Sequence, residues 1–287
     1  MKESSIRIKK QIPKKIVTFV LITFAISSIS YYIMISTGST RDVVLIWMWS
    51  PAIAAILTQL VFRDSIRDFG WCPGKIKYLL LGSATPLLYA SVIYVIAWTT
   101  GLGGFRMPSA IQMLMYSTLG FIVACLAGLG EEIGWRGLLV PELAKITSFT
   151  KTALVTGIIW AVWHYPAILF ADYKSGAPLW FDLSTLTIST VGMSFLVAWL
   201  RLKSGSMWPA VLWHGGHNLF VQQIFLDMTT DTGVTEYIVD DFGLGVLLSV
   251  LILGYIFWRR RSELPDVCLQ EAQEASSERG VQSERAA

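Results

Sequence analysis

Apolar runs long enough to cross a bilayer recur along this chain, separated by short polar segments. They cover about 16–35, 43–62, 78–98, 110–130, 152–171, 183–200, 207–226 and 242–258. A hydrocarbon core of ~30 Å needs roughly 20 helical residues, so the pattern predicts an all-α, polytopic fold with about eight transmembrane helices. The sixth run is the most dilute, because Ser184, Thr185, Thr187, Ser189 and Thr190 interrupt it. Small hydroxyl residues nevertheless suit helix–helix contacts in lipid. Trp47, Trp49, Trp98, Trp180, Trp208 and Trp258 fall near run ends, where an aromatic belt is expected. The first run follows a basic N-terminus but is too long for a signal peptide and lacks a convincing cleavage site, so it reads as a retained span. Beyond Arg261 the chain turns to Glu, Ser and Gln without aromatics, which predicts a disordered cytoplasmic tail over 262–287.

Charge gives the pattern a direction. With an even number of spans both termini share one side. Of the 23 Lys and Arg residues, only Arg41, Arg106 and Lys174 fall on the other side. The positive-inside rule then places both termini in the cytoplasm, in the cell membrane if the source is prokaryotic. The 227–241 segment carries Asp227, Asp231, Glu236, Asp240 and Asp241 with no Lys or Arg, as an external loop should. Composition agrees: 54% of residues are hydrophobic, 15% are charged, and mean hydropathy is +0.56, values outside the range of a soluble globule. A net charge of +3, with basic residues held in loops, gives no nucleic-acid surface. Cys72, Cys125 and Cys268 are scattered and odd in number, so no disulfide framework or paired-cysteine metal site is implied. No phosphate-binding or dinucleotide loop is present.

Against this apolar background a few polar residues stand out. The stretch from Gly128 to Gly137 places Glu131, Glu132 and Arg136 at the end of what reads as a membrane-spanning helix. Charges there commonly cost ~2.5–3.5 kcal/mol each and mark a functional site by default. Glu132 and Arg136 are an i,i+4 pair, which leaves Glu131 without a local partner and free to act as a base. The three histidines of the chain, His164, His214 and His217, all lie inside apolar runs. Trp160 sits one turn before His164 and would wall its imidazole, while Pro166 just after it is expected to kink the helix and open a cavity. His214 and Asn218 share a helix face and can converge on one oxygen, as an oxyanion hole requires. Gly215 and Gly216 between them allow close approach. His217 could border the same site.

Together these residues supply a base (Glu131), a second group to orient water (His164) and two oxyanion donors (His214, Asn218), with Glu132 and Arg136 as braces. That is a kit for adding water to an amide carbonyl without a Ser or Cys nucleophile. It is also a conceivable metal site, with zinc on Glu131, His164 and His214 plus water, although the helical HExxH signature is missing.

The set Glu131-Glu132-x-x-x-Arg136, Trp160-x-x-x-His164 and His214-x-x-x-Asn218 resembles the signature of the CPBP intramembrane protease family, which includes CAAX prenyl endopeptidases and Abi-type bacteriocin-immunity proteins. The likeness spans roughly residues 118–225. It implies that Glu131 and His164 activate water, that His214 and Asn218 stabilise the oxyanion, and that Glu132 and Arg136 are structural. Trp160 departs from the phenylalanine common at that place. The expected organisation is N-terminal helices over 1–109, a four-helix catalytic core over 110–226, an external loop and last helix over 227–261, and the tail. The expected partners are membrane lipid and a peptide or protein substrate, lipidated or not, cut near the cytoplasmic face. Glu131 and His214 lie close to the cytoplasmic ends of their runs, which points to a cavity opening on that side. Two other readings compete: a non-catalytic membrane immunity or binding protein, and a proton-coupled transporter, against which no matched halves with broken helices are found.

Overall fold

The computed structural model describes residues 2–265, with side chains from residue 11. Each apolar run is helical: α1 (Lys2–Thr37), α2 (Val44–Phe62), α3 (Ile76–Thr100), α4 (Ala110–Ile146), α5 (Phe149–Phe170), α6 (Leu179–Ser204), α7 (208–227) and α8 (Leu244–Arg259). The first six are long and apolar enough to cross a membrane on their own. The last two fall outside that set: α7 passes through a wide π turn at Phe220–Ile224, and α8 has 16 residues. The protein is an all-α, polytopic membrane protein. Its extended pairing is confined, among the described residues, to β1 (Gly104–Phe105) against β2 (Thr229–Thr230).

The connections alternate between two faces. On one, the Asp172 carboxylate accepts from Ser39 and Thr40, and β1 pairs with β2. On the other, Lys15 binds Asp64 and Glu142, and the backbone N–H of Met207 donates to the carbonyl of Gly70. The basic loops gather at the second face.

α6, the most dilute run, is the most buried of the candidate spans and packs between α5 and α8. Its hydroxyls cost little inside the bundle because they bond back to their own helix: Thr185 Oγ1 reaches the carbonyl of Phe181 at 2.8 Å, and Ser194 Oγ that of Thr190 at 2.9 Å. α4 and α7 approach so closely that a Cβ on Gly215 would stand 2.6 Å from Cys125 Sγ, and one on Gly128 would stand 3.1 Å from His214 Cγ. Small residues at a helix seam permit such an approach, and here they set His214 against the carboxylates of α4.

Two expectations are corrected. α4 does not stop at residue 130 but runs through a second π turn, Ile133–Leu139, to Ile146. Glu131, Glu132 and Arg136 are buried and paired within the bundle, so the first charges of this helix do not mark its exit into water. Trp47 is no belt residue: it is buried and stacks on Trp163 at 4.3 Å. The expected tail begins in a 3₁₀ turn, Arg260–Glu263, where Glu263 pairs with Arg260, and beyond Pro265 it lies outside the described residues.

Candidate active site

A cavity of about 260 Å³ lies between α2, α4, α5, α6 and α7, and Glu131, Trp160, His164, His214, His217 and Asn218 all line it. The structure thus brings together residues that lie far apart in the sequence. Glu132 and Arg136 stand behind its wall, both fully buried.

Glu131 is held by two indoles. Trp160 Nε1 donates to its Oε2 at 2.7 Å, and Trp135 Nε1, one turn along α4, donates to the same oxygen at 3.3 Å. The other oxygen, Oε1, lies 3.8 Å from His214 Nε2. A buried carboxylate needs hydrogen bonds in place of lost water, and here one oxygen receives them while the other is left towards the histidine. The local isolation of Glu131 expected from i,i+4 reasoning is therefore incomplete, since Trp135 reaches it.

Glu132 Oε1 accepts from Arg136 Nη1 at 2.9 Å and from His214 Nδ1 at 2.8 Å. The Arg136 guanidinium lies 4.3 Å from the Trp160 ring centroid, a cation–π contact that braces the indole. A carboxylate paired with arginine is acceptor-only, so His214 carries a proton on Nδ1 and presents Nε2 to the cavity. His164 Nδ1 stands 2.8 Å from the carbonyl oxygen of Trp160. A carbonyl can only accept, so Nδ1 is again the protonated nitrogen and Nε2 is left for other partners. Trp47, Trp163 and Tyr173 pack their rings around this imidazole, with centroids 5.5, 4.9 and 5.7 Å away.

The spacing of sequence motifs missed a second polar group in the same cavity. Asp241, from the loop before α8, accepts from His217 Nε2 at 2.7 Å, Tyr173 Oη at 2.5 Å and Gln222 Nε2 at 2.7 Å. Tyr89 Oη bonds the other nitrogen of His217. Both nitrogens of that ring are thus engaged, and His217 ties the loop to the bundle. Gln222 Nε2 also meets Asn218 Oδ1 at 3.3 Å. Because Asp241 requires a donor there, the atom of Asn218 facing Gln222 is its oxygen, which leaves the Asn218 amide N–H groups for another acceptor. Gln222 was the legible signal, a polar side chain inside an apolar run.

Next to Asp241, Asp240 has a backbone φ of 68°, and its shielded Oδ1 has no hydrogen-bond partner among the described residues. Burial, and then the neighbouring Asp241 carboxylate, push its pKa up to about 8. Of the two carboxylates, Asp241 collects the side-chain donors.

Thr40, Tyr173, Gln222 and Asp241 belong to the face opposite the basic loops, and the first three are partly exposed. A metal fits this site poorly. Among the described residues no three His, Cys, Asp or Glu side chains are placed to hold a metal ion, and Glu131 Oε2 is already taken by the two indole N–H groups. The donor set expected from Glu131, His164 and His214 is not formed.

Residues 112–220 match the family model described as type II CAAX prenyl endopeptidase Rce1-like. A protein of Methanococcus maripaludis named CAAX prenyl protease 2 is 31% identical over 111 residues, which make up 37% of this chain. That segment amounts to 40% of the relative's length.

Proposed function

We propose, from the match of residues 112–220 to the Rce1-like type II CAAX prenyl endopeptidase family model, that this protein is an intramembrane endopeptidase using water activated by Glu131. One observation carries the reading. Glu131 is a buried carboxylate with one oxygen fixed by two indole N–H groups and the other turned to His214, on the wall of a cavity shared with His164 and Asn218. Such a carboxylate is oriented for one task.

In this reading, Glu131 takes a proton from a water molecule that the free Nε2 of His164 helps to orient. The resulting hydroxide adds to the carbonyl carbon of the substrate, and negative charge develops on its oxygen. His214 Nε2 and the Asn218 amide donate to that oxygen, as an oxyanion hole does. To donate from Nε2 as well as Nδ1, His214 acts as an imidazolium, and Glu132 balances its charge while Arg136 holds Glu132. Collapse of the intermediate breaks the C–N bond, and Glu131 passes its proton to the leaving amine. Trp160 and Gln222 are positioning residues: the first aims Glu131, the second aims Asn218. No step is routed through a metal. By charge asymmetry we place both termini in the cytoplasm, with the protein in the cell membrane if the source is prokaryotic.

The test is cleavage of a panel of prenylated and unprenylated peptides by the protein in liposomes, read by mass spectrometry with and without a chelator. The reading expects new peptide termini whose yield the chelator leaves unchanged. Absence of cleavage across the panel, or its loss on chelation, contradicts it.

A further inference from the structure

We propose that the groove between α6 and α8 binds an anionic phospholipid, with one acyl chain laid along the groove and the phosphate held by Arg259 and Arg261. The site shares no residue with the cavity around Glu131, and the inference does not depend on what that cavity does.

Two glycines make the groove. α6 and α8 both run towards the basic face and meet where Gly192 lies against Gly254. A Cβ on Gly254 would stand 2.9 Å from the Gly192 carbonyl oxygen, and one on Gly192 would stand 3.1 Å from that of Val250. Small residues let the two backbones touch, and the larger side chains on either side are left as walls. Ile188, Val191 and Phe195 of α6 and Leu251, Tyr255 and Trp258 of α8 enclose about 260 Å³. These positions recur at helical spacing, so they form one stripe on each helix, ~10 Å long at about 1.5 Å per residue. Apart from the Tyr255 hydroxyl and the Trp258 indole N–H, the side chains of this lining are hydrocarbon. Ile188, Leu251 and Tyr255 are exposed on the bundle's outer surface, which in a membrane protein meets lipid tails.

The basic end of the groove is aromatic and held in place. Trp258 Nε1 donates to Thr150 Oγ1 at 3.1 Å, and Phe195 packs edge-on against Phe149 with centroids 6.0 Å apart. Trp and Tyr at a helix end mark the depth where tails give way to headgroups. Three arginines follow at once, and they differ in their partners. Arg260 is spoken for: its guanidinium lies 4.5 Å from the Trp199 ring centroid and bonds the Glu263 carboxylate at 2.7 and 2.9 Å. Arg259 and Arg261 lean on the aromatic walls of the groove instead. The Arg261 guanidinium lies 4.1 Å from the Trp258 ring centroid, and Arg259 Nη1 donates to Tyr255 Oη at 2.9 Å. Both are exposed, and among the described residues neither pairs with a carboxylate. Their remaining N–H groups suit a phosphate, which accepts two parallel hydrogen bonds from one guanidinium. A hydrocarbon groove that ends in a phosphate site describes a phospholipid. Two guanidinium groups with no carboxylate beside them select a headgroup that brings no cation of its own.

The test is native mass spectrometry of the purified protein titrated with phosphatidylglycerol or with phosphatidylcholine of the same tails. Wild type should bind one phosphatidylglycerol at least tenfold more tightly than phosphatidylcholine. Arg259→Gln combined with Arg261→Gln should erase that preference and leave phosphatidylcholine binding unchanged. Leu251→Trp fills the groove while keeping both arginines, and it should weaken both lipids at least tenfold. Glycerol 3-phosphate, which carries the phosphate without tails, should not displace the lipid. Equal binding of the two lipids by wild type overturns the proposal, as does a preference that survives the arginine replacements or lipid binding that Leu251→Trp leaves intact. Displacement by glycerol 3-phosphate, or a dimer that Leu251→Trp disperses, also overturns it, because the arginines or the groove then serve another occupant. The wild-type comparisons decide the matter even where a variant fails to fold.

Discussion

At Trp160 an aromatic ring does two jobs. Its face meets the Arg136 guanidinium, and its indole N–H holds Glu131 Oε2 at 2.7 Å. Phenylalanine would keep the wall and lose the donor. A hydrogen bond to a charged group is worth about 1.5–3 kcal/mol, so Trp160→Phe should lower kcat by roughly tenfold or more while KM stays near wild type. An unchanged kcat would show that the indole N–H does not position the base. Gln222 makes a parallel case, because it presents one N–H₂ group to both Asn218 Oδ1 and Asp241 Oδ2. Gln222→Met keeps the bulk and frees the Asn218 amide to turn. The expected result is a fall in kcat of roughly tenfold, with peptide binding preserved in a displacement assay. The i,i+4 spacings in the sequence already paired Glu132 with Arg136 and set His214 near Asn218. They could not reveal that Trp160 bonds a carboxylate 29 residues away, because that contact exists only once α4 and α5 pack.

At the scale of elements, hydrophobic runs located every helix, and they failed where a charge was taken for a boundary. Ending α4 at residue 130 assumed that carboxylates mean water. Here the Arg136 and His214 side chains stand in for water at Glu132, and the helix continues in a π turn. The loop before α8 was legible as acidic, but its reach into the cavity was not, since Asp241 finds His217, Tyr173 and Gln222 only by tertiary packing. Its neighbour Asp240 gives the loop a pH signature. Burial, and then Asp241, raise the folded-state pKa of Asp240 to about 8, whereas an unfolded aspartate titrates near 3.9. Between these values the unfolded chain has released the proton and the folded chain has kept it. Stability therefore declines as pH rises through that window and levels off above it. Asp240→Asn removes the group and suits the left-handed backbone at φ 68°. The variant should exceed wild type in apparent Tm by roughly 3 °C or more at pH 8.5, and by clearly less at pH 5. Equal differences at both pH values would remove Asp240 as the cause.

At the scale of the whole molecule, the bundle holds this cavity between two unlike faces: a basic one, where Phe69 and Arg201 pack, and an acidic one, whose loops bring Thr40, Tyr173 and Asp241 into the lining. Charge counting alone gave the polarity of the loops. Depth along α4 was measured from its apparent end at 130, whereas the helix runs on to Ile146. The central claim is chemical, namely that Glu131 is the base of a peptide-cleaving site. The most direct test is the kcat of Glu131→Gln in liposomes, on a peptide that wild type cleaves, with folding verified by an unchanged melting profile. Glutamine keeps the shape and can still accept from Trp160, but it cannot take a proton from water. The account predicts a loss of at least ~10²-fold in kcat. Equal rates for the two proteins would contradict it and leave Glu131 a structural carboxylate.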